Sequence, residues 1–170
     1  IAVIKSGSTP ARSNAAYFDN GYIPWVKTTD LNNSDIFQTE EKVTLLALQE
    51  TSIRKNPINS VLVAMYGGFN QIGRTGILQV ESATNQALSV INTDSKFLLP
   101  RYLLIYLNAK VHLWRKFAAS SRKDPNITGS DVGAFPIEYP SLKEQQKIAN
   151  FLSSVDKKIQ QLTEKQSLLQ

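Results

Sequence analysis

Four short runs carry the side chains best suited to reading a nucleic acid. Lys27-Thr28-Thr29-Asp30 follows an aromatic segment. Arg74 stands just beyond a glycine-rich turn that carries Asn70 and Gln71. Asn85-Gln86 opens an apolar run, and Ser121-Arg122-Lys123 leads to Asn126. Arginine pairs bidentately with guanine in the major groove, and asparagine or glutamine pairs with adenine. Lysine, serine and threonine mostly hold phosphates. The candidate DNA-binding residues are therefore Lys27, Thr28, Thr29, Gln71, Arg74, Asn85, Gln86, Ser121, Arg122, Lys123 and Asn126. Each alone is an ordinary loop residue, and charge gives the set its weight. The net charge is +5, and Lys96, Arg101, Lys110, Arg115, Lys116, Arg122 and Lys123 fall in one stretch with no Asp or Glu. A one-signed stretch of this length attracts a polyanion, although a solvated helix face accounts for the same charge.

Catalytic chemistry is hard to find. The chain has no cysteine, which excludes disulfides, a thiolate zinc site and a thiol nucleophile. His112 is the one histidine, so a multi-histidine metal site is excluded. Gly67-Gly68-Phe69-Asn70-Gln71-Ile72-Gly73 matches neither a dinucleotide fingerprint nor a phosphate loop. Asp124-Pro125-Asn126-Ile127 begins like the acidic-Pro-Pro-aromatic tetrapeptide of amino-methyltransferases. It lacks the second proline and the aromatic that would stack on a flipped base, so it reads as a turn. The Glu40-Glu41 pair lies in polar surroundings with no apolar pocket implied. No catalytic residue, metal or cofactor is expected, and the chain reads as a binding protein. No apolar run approaches the ~20 residues of a bilayer span, and no signal peptide is visible, which fits a cytoplasmic protein.

The elements that must position these groups fall into two parts. At 170 residues with 42% hydrophobic and 19% charged residues, the chain can bury a real core. Strands are predicted over residues 1–5, 22–27, 61–66, 72–80, 86–92 and 135–139, and a short helix over 45–52. Pro24 marks the second strand as an edge or a bulge. A helix is predicted over 100–119, with Pro100 at its first position and Leu103, Leu104, Leu107, Val111 and Trp114 on one face. Residues 120–130 read as a loop.

The last thirty residues differ in kind. From Leu142 to Gln170 there is no Gly or Pro, and Ser141-Leu142-Lys143-Glu144 is a capping box. Written as heptads, Gln145, Leu152, Ile159 and Gln166 take the a positions, and Ile148, Val155, Leu162 and Leu169 take the d positions. Phe151 widens the apolar face near the start, so the first turns are expected to dock on the body through it. The distal turns need a partner helix. The fold class is α+β: a small mixed or antiparallel sheet with peripheral helices over residues 1–140, then a long coiled-coil helix over 141–170. A chain that starts at Ile1, with one body and one projecting helix, reads as a fragment or half of something.

The order of motifs resembles a family. Gly7-Ser8-Thr9-Pro10 comes first, then Gly21-Tyr22-Ile23-Pro24-Trp25, Val61-Leu62-Val63, a glycine turn, and Asn85-Gln86-Ala87. Asn126-Ile127 follows the basic helix. The most specific piece is Pro140-Ser141-Leu142-Lys143-Glu144-Gln145-Gln146-Lys147-Ile148-Ala149, continued by Phe151-Leu152 and Asp156. Together these resemble the DNA-specificity subunit of type I restriction–modification systems. The resemblance implies a target recognition domain that reads one half of a split duplex DNA site. It implies a long helix that pairs with another, in the same subunit or in a second copy, as an antiparallel spacer. It also implies modification subunits along that scaffold, which bring S-adenosylmethionine and the methylation chemistry, and a motor-nuclease subunit for cleavage. One recognition domain with one helix is half of a standard subunit. The alternative is a DNA-recognition domain cut from a self-contained methyltransferase or fused restriction enzyme. A third reading is a coiled-coil adaptor whose basic face serves solubility.

Overall fold

The computed structural model describes residues 1–68, 70–118 and 126–167. The expected site residues Ser121, Arg122, Lys123 and Leu169 lie outside the described residues. The strands are β1 (Ala2–Ser6), β2 (Ile23–Val26), β3 (Ser34–Ile36), β4 (Lys42–Val43), β5 (Val61–Ala64), β6 (Thr75–Leu78), β7 (Ala83–Thr84) and β8 (Leu88–Thr93). The helices are α1 (Leu45–Glu50), α2 (Pro100–Ala109), α3 (Trp114–Phe117), α4 (Gly129–Ala134) and α5 (Leu142–Ser167). The α+β class with mixed sheets and a long terminal helix is as the sequence predicts.

One sheet has the order β1-β8-β5-β6-β3, and a smaller one has the order β4-β2-β7. In the larger sheet β3 runs parallel to β6 and the other pairs are antiparallel. Successive side chains of a strand point to opposite faces, and β5 uses both. Val61 and Val63 join Ile77, Ile91 and the α2 residues Leu103, Leu104 and Leu107 in one core. Leu62 and Ala64 join Val26, Leu31, Leu78, Leu88 and Val90 in a second core on the other face. A third cluster, Ile23, Trp25, Val43, Ala47, Ile53 and Ala83, packs α1 on the smaller sheet.

Two expectations fail where groups distant in the chain intervene. The helix predicted over 100–119 breaks after Ala109 into a 3-10 turn, Val111–Leu113, before α3. The break turns Trp114 inward, where its ring meets Phe135 at 4.1 Å between centroids and lies over Gly73. Gly73 has φ +80°, and a Cβ there would stand 2.2 Å from the indole, so the glycine is required twice over. Residues 135–139 form no strand. Their backbone is held by side chains of α2 instead: the Tyr102 hydroxyl donates to the Glu138 carbonyl at 2.8 Å, and the Glu138 N–H donates to the Tyr106 hydroxyl at 3.2 Å. Helix α4, set by a Thr128–Asp131 capping box, occupies the end of the stretch read as a loop.

Helix α5 begins as its capping box predicts, with the Ser141 N–H donating to the Glu144 carboxylate at 3.1 Å. The Ser141 hydroxyl, 2.6 Å from the same carboxylate, and then that N–H hold the Glu144 carboxyl below its ordinary value. The helix docks through a different face from the one expected. Phe151 is 67% exposed, whereas Gln145 and Ala149 are buried and Leu152 is half-buried. Gln145 faces its own domain: its oxygen accepts the Leu99 N–H at 2.9 Å, and its nitrogen donates to the carbonyls of Phe97 and Pro140 at 2.8 and 2.9 Å. These three backbone groups flank the entries to α2 and α5 and have no helical partners of their own there. Ile148, Phe151, Val155, Ile159 and Leu162 are exposed along a stripe about a quarter turn away from Gln145 and Ala149, at about 100° per residue. Past Ser153 every described residue of α5 is exposed.

Gln145→Ala strands a buried N–H and two carbonyls. It is expected to lower stability by about 1–3 kcal/mol, seen as a lower urea midpoint at unchanged slope. An unchanged midpoint would show that packing alone seats the helix.

Candidate nucleic-acid interface

The sheet gathers polar loops at one of its ends. Register brings Ser6 beside Ser89, Ala64 beside Leu88, Val63 beside Thr75 and Ser34 beside Gly76. The end of β1, the start of β8, the end of β5 and the starts of β6 and β3 therefore coincide. Backbone hydrogen bonds then tie the loops to one another. Ser8 N–H donates to the Thr84 carbonyl at 2.9 Å, Met65 N–H to Ala87 at 2.8 Å, and Asn85 N–H to Val26 at 3.0 Å. Asn33 N–H donates to Thr75 at 2.8 Å, and Ile127 N–H to Met65 at 3.0 Å. Gly7 makes the closest approach, where any Cβ would meet the Thr84 and Asn85 carbonyls at 2.3 and 2.2 Å. Segments about 120 residues apart in the chain thus share one surface.

Of the residues singled out in the sequence, Lys27, Thr28, Thr29, Gln71, Arg74, Asn85, Gln86 and Asn126 fall on these segments. Their side chains differ in readiness. Thr29, Gln86 and Asn126 are exposed, and Thr28 is half-buried in a 3-10 turn. Arg74 donates to the Gln71 side-chain oxygen at 2.9 Å and to the Leu31 carbonyl, which orients its guanidinium and links two loops. The Asn85 side chain accepts the Ala87 N–H at 3.1 Å, leaving its amide nitrogen as a donor. Gln86 accepts a bond from the Thr9 hydroxyl. Asn108, at the end of α2, donates to the Asn33 carbonyl at 2.8 Å and accepts from Thr75.

Lys27 is bound within the chain. Its ammonium contacts Glu41 at 2.6 Å and Glu40 at 2.9 Å, and its side chain is 19% exposed. Those hydrogen bonds, Glu41 first, raise its pKa. Glu41 is held down to about 2, first by the Arg12 guanidinium and then by Lys27. Arg12 in turn lies over the rings of Phe18 and Trp25 at 4.7 and 4.8 Å. Sequence reading missed Arg12, Asn33 and Asn108, because only tertiary contacts join Arg12 to Glu41 and Asn108 to Asn33. Among the described residues no group of His, Asp and Glu is placed to hold a metal. No helix among them is long and apolar enough to cross a membrane.

The sequence and the fold both match known proteins. The model of the type I restriction modification DNA specificity domain matches residues 1–170. The specificity subunit of the MjaIX type I restriction enzyme of Methanocaldococcus jannaschii is 30% identical over 175 residues, covering 100% of this chain and 39% of that subunit. The EcoR124I/EcoR124II specificity subunit of Escherichia coli is 21% identical, covering 93% of this chain and 39% of the relative. The HsdS subunit of Thermoanaerobacter tengcongensis superposes with a TM-score of 0.67 at 18% identity, over 98% of this chain and 37% of that one. A chain from a structure of type I R-M complex assembly and conformational transition superposes with a TM-score of 0.73 at 19% identity, over 98% and 39% respectively. The chain thus spans about two-fifths of the length of the curated relatives it matches.

The lowered Glu41 pKa has a consequence for stability. Its folded value lies below the ordinary 4.5, so its contribution is full above about pH 4.5 and is lost as pH falls toward 2. Glu41→Gln is expected to lower the melting temperature at pH 7 by about 2–4 °C, the effect of about 1 kcal/mol in a domain of this size. The gap from wild type should close as pH falls from 4.5 to 2. A gap that stays constant across that range would remove Glu41 as its source.

Proposed function

Because this chain belongs to the family of type I restriction–modification DNA specificity domains, we propose that it is one target recognition domain with its spacer helix, reading one half of a bipartite duplex DNA site. It works in the cytoplasm as the recognition part of a methyltransferase–endonuclease complex and supplies no catalytic group itself. The observation that carries this reading is the gathering of the 27–31, 65–68, 70–74, 85–87 and 126–128 segments on one end of the sheet. Arg74, Gln71, Asn85 and Gln86 offer donors and acceptors for base edges there, and Lys110 and Lys116, beyond the end of α2, hold phosphates; Lys96 stands by the anchor of α5 and Arg101 is paired with Asp35. Helix α5 is anchored beyond the opposite end of β8, at Phe97 and Leu99, and its Ser153, Asp156 and Gln160 line one groove with Asn33, Ser34 and Asn108.

The uncovered stripe of α5 supports the second half of the proposal. An exposed apolar row of this kind calls for a cover. In a full subunit the cover is the second spacer helix; for this chain it is a second copy, paired antiparallel with recognition ends facing away from each other. Gln145, first read as part of that seam, is used by the chain's own domain, so the pairing centres on Ile148, Leu152, Val155, Ile159 and Leu162 with Gln166 and Leu169 at its far end. Modification subunits bind along this scaffold, and the motor-nuclease subunit joins them.

Binding to the cognate duplex is expected to weaken steeply with salt. The log–log slope should lie near −4 to −5 if about five phosphates are neutralised, read by fluorescence anisotropy. Arg74→Ala should change which sequences are preferred more than overall affinity, by about 1–3 kcal/mol at one base pair. An equal loss on every sequence would make Arg74 a phosphate contact. Ile159→Asp combined with Leu162→Asp should leave the domain folded and the chain monomeric in sedimentation. A wild type that is already monomeric at high micromolar concentration would refute the paired helix.

A further inference from the structure

Three carboxylates stand at the reading end beside Lys27, and their hydrogen bonds separate their roles. Asp30 is fully committed: one oxygen accepts the Lys27 N–H at 2.7 Å and the other accepts the Glu40 N–H at 3.1 Å. Glu41 is committed on both oxygens, to Arg12 and to Lys27. Glu40 is different. One of its oxygens accepts from the Lys27 ammonium at 2.9 Å; the other has no hydrogen-bond partner among the described residues, and the side chain is 71% exposed. Its backbone is pinned to the 28–30 turn through Asp30, and its carboxylate is oriented by a lysine that is itself mostly buried. The result is a preorganised acceptor with one free oxygen, next to Thr28 and Thr29 and one hydrogen bond away from the Asn85 segment.

An anion on a DNA-binding face needs a reason, because phosphates repel it. Lys27 and Arg12 together balance Glu40 and Glu41, which offsets that repulsion. Base edges supply the selectivity: guanine offers O6 and N7, thymine offers O4, and adenine sets N7 beside its amino group, so each presents an acceptor to a carboxylate. Cytosine presents its N4 amino donor with no acceptor of its own beside it. We propose that Glu40 is a specificity-determining residue whose free oxygen accepts a hydrogen bond from the N4 amino group of a cytosine in the major groove. This rests on the reading of this end as the DNA-contacting surface.

The test uses the purified chain, a randomised duplex library and sequencing of the bound fraction. Wild type should return a consensus containing a cytosine that Glu40→Ala no longer selects, with a discrimination loss of about 5- to 150-fold at that pair, the range of a good base contact. At the same pair, replacing the cytosine by pyrimidin-2-one, which lacks the amino group, should weaken wild type and leave Glu40→Ala unaffected. Circular dichroism and melting should show both proteins folded, as expected for an exposed side chain. A consensus identical in the two proteins, or an affinity change equal on all sequences, overturns the role of Glu40 and leaves the recognition surface standing. A wild type that returns no consensus at all overturns both.

Discussion

Strand β5 has no solvent-exposed side, and the rest of the molecule follows from that. Val61 and Val63 need helix α2 over one face, while Leu62 and Ala64 need Val26 of β2 and the following Leu31 over the other. Both covers must therefore exist, and both neighbours, β8 and β6, must pair along β5 to satisfy its buried backbone. Once β5 is fixed centrally, its end at Ala64 and Met65 becomes the point where loops from both sheets converge. Met65 alone bonds to Ala87 on one side and Ile127 on the other. The position of the polar loops is thus a result of apolar burial.

The end of the sheet where the polar loops meet combines order with polarity. Loops rich in Asn, Gln and Thr would ordinarily adopt many conformations, and ordering them costs entropy. Here the cost is met by bonds between loops, such as Arg74 to Leu31 and Asn108 to Asn33, and by the Arg12–Glu41–Lys27–Glu40 network. Much of the hydrogen-bonding capacity that looks available in the sequence is spent on this ordering. What is left over is a smaller set of fixed donors and acceptors, which is what discrimination between base edges requires.

Helix α5 solves two problems on two faces. Gln145 and Ala149 seat it on the domain, and the stripe from Ile148 to Leu162 remains uncovered. Seating by a buried amide differs from seating by apolar contact: the glutamine fits one set of backbone groups and so fixes the angle at which the helix departs. A directional bond sets that angle better than an apolar contact does.

Much of this was legible in the residues. The absence of cysteine, the single histidine, the capping box at Ser141 and the 3-4 repeat after it depend only on composition and local spacing. So did Val61–Ala64 as a buried strand and the pooling of basic residues before Lys123. Local signals also misled where distant groups intervened. Residues 135–139 have strand character but are held by the Tyr102 and Tyr106 hydroxyls, and the helix begun at Pro100 breaks where Trp114 must turn inward. Gln145 occupies a heptad position yet serves backbone groups near Phe97 and Leu99, about 46 residues earlier in the chain. Lys27 looked like a phosphate ligand and is bound by two glutamates; Glu40 looked like surface and holds a free, oriented oxygen. Periodicity and capping act over a few residues, so the chain by itself determined most of its elements and its chemical class. Which polar groups are spent and which remain free depends on contacts across tens of residues, and only the tertiary structure decided that.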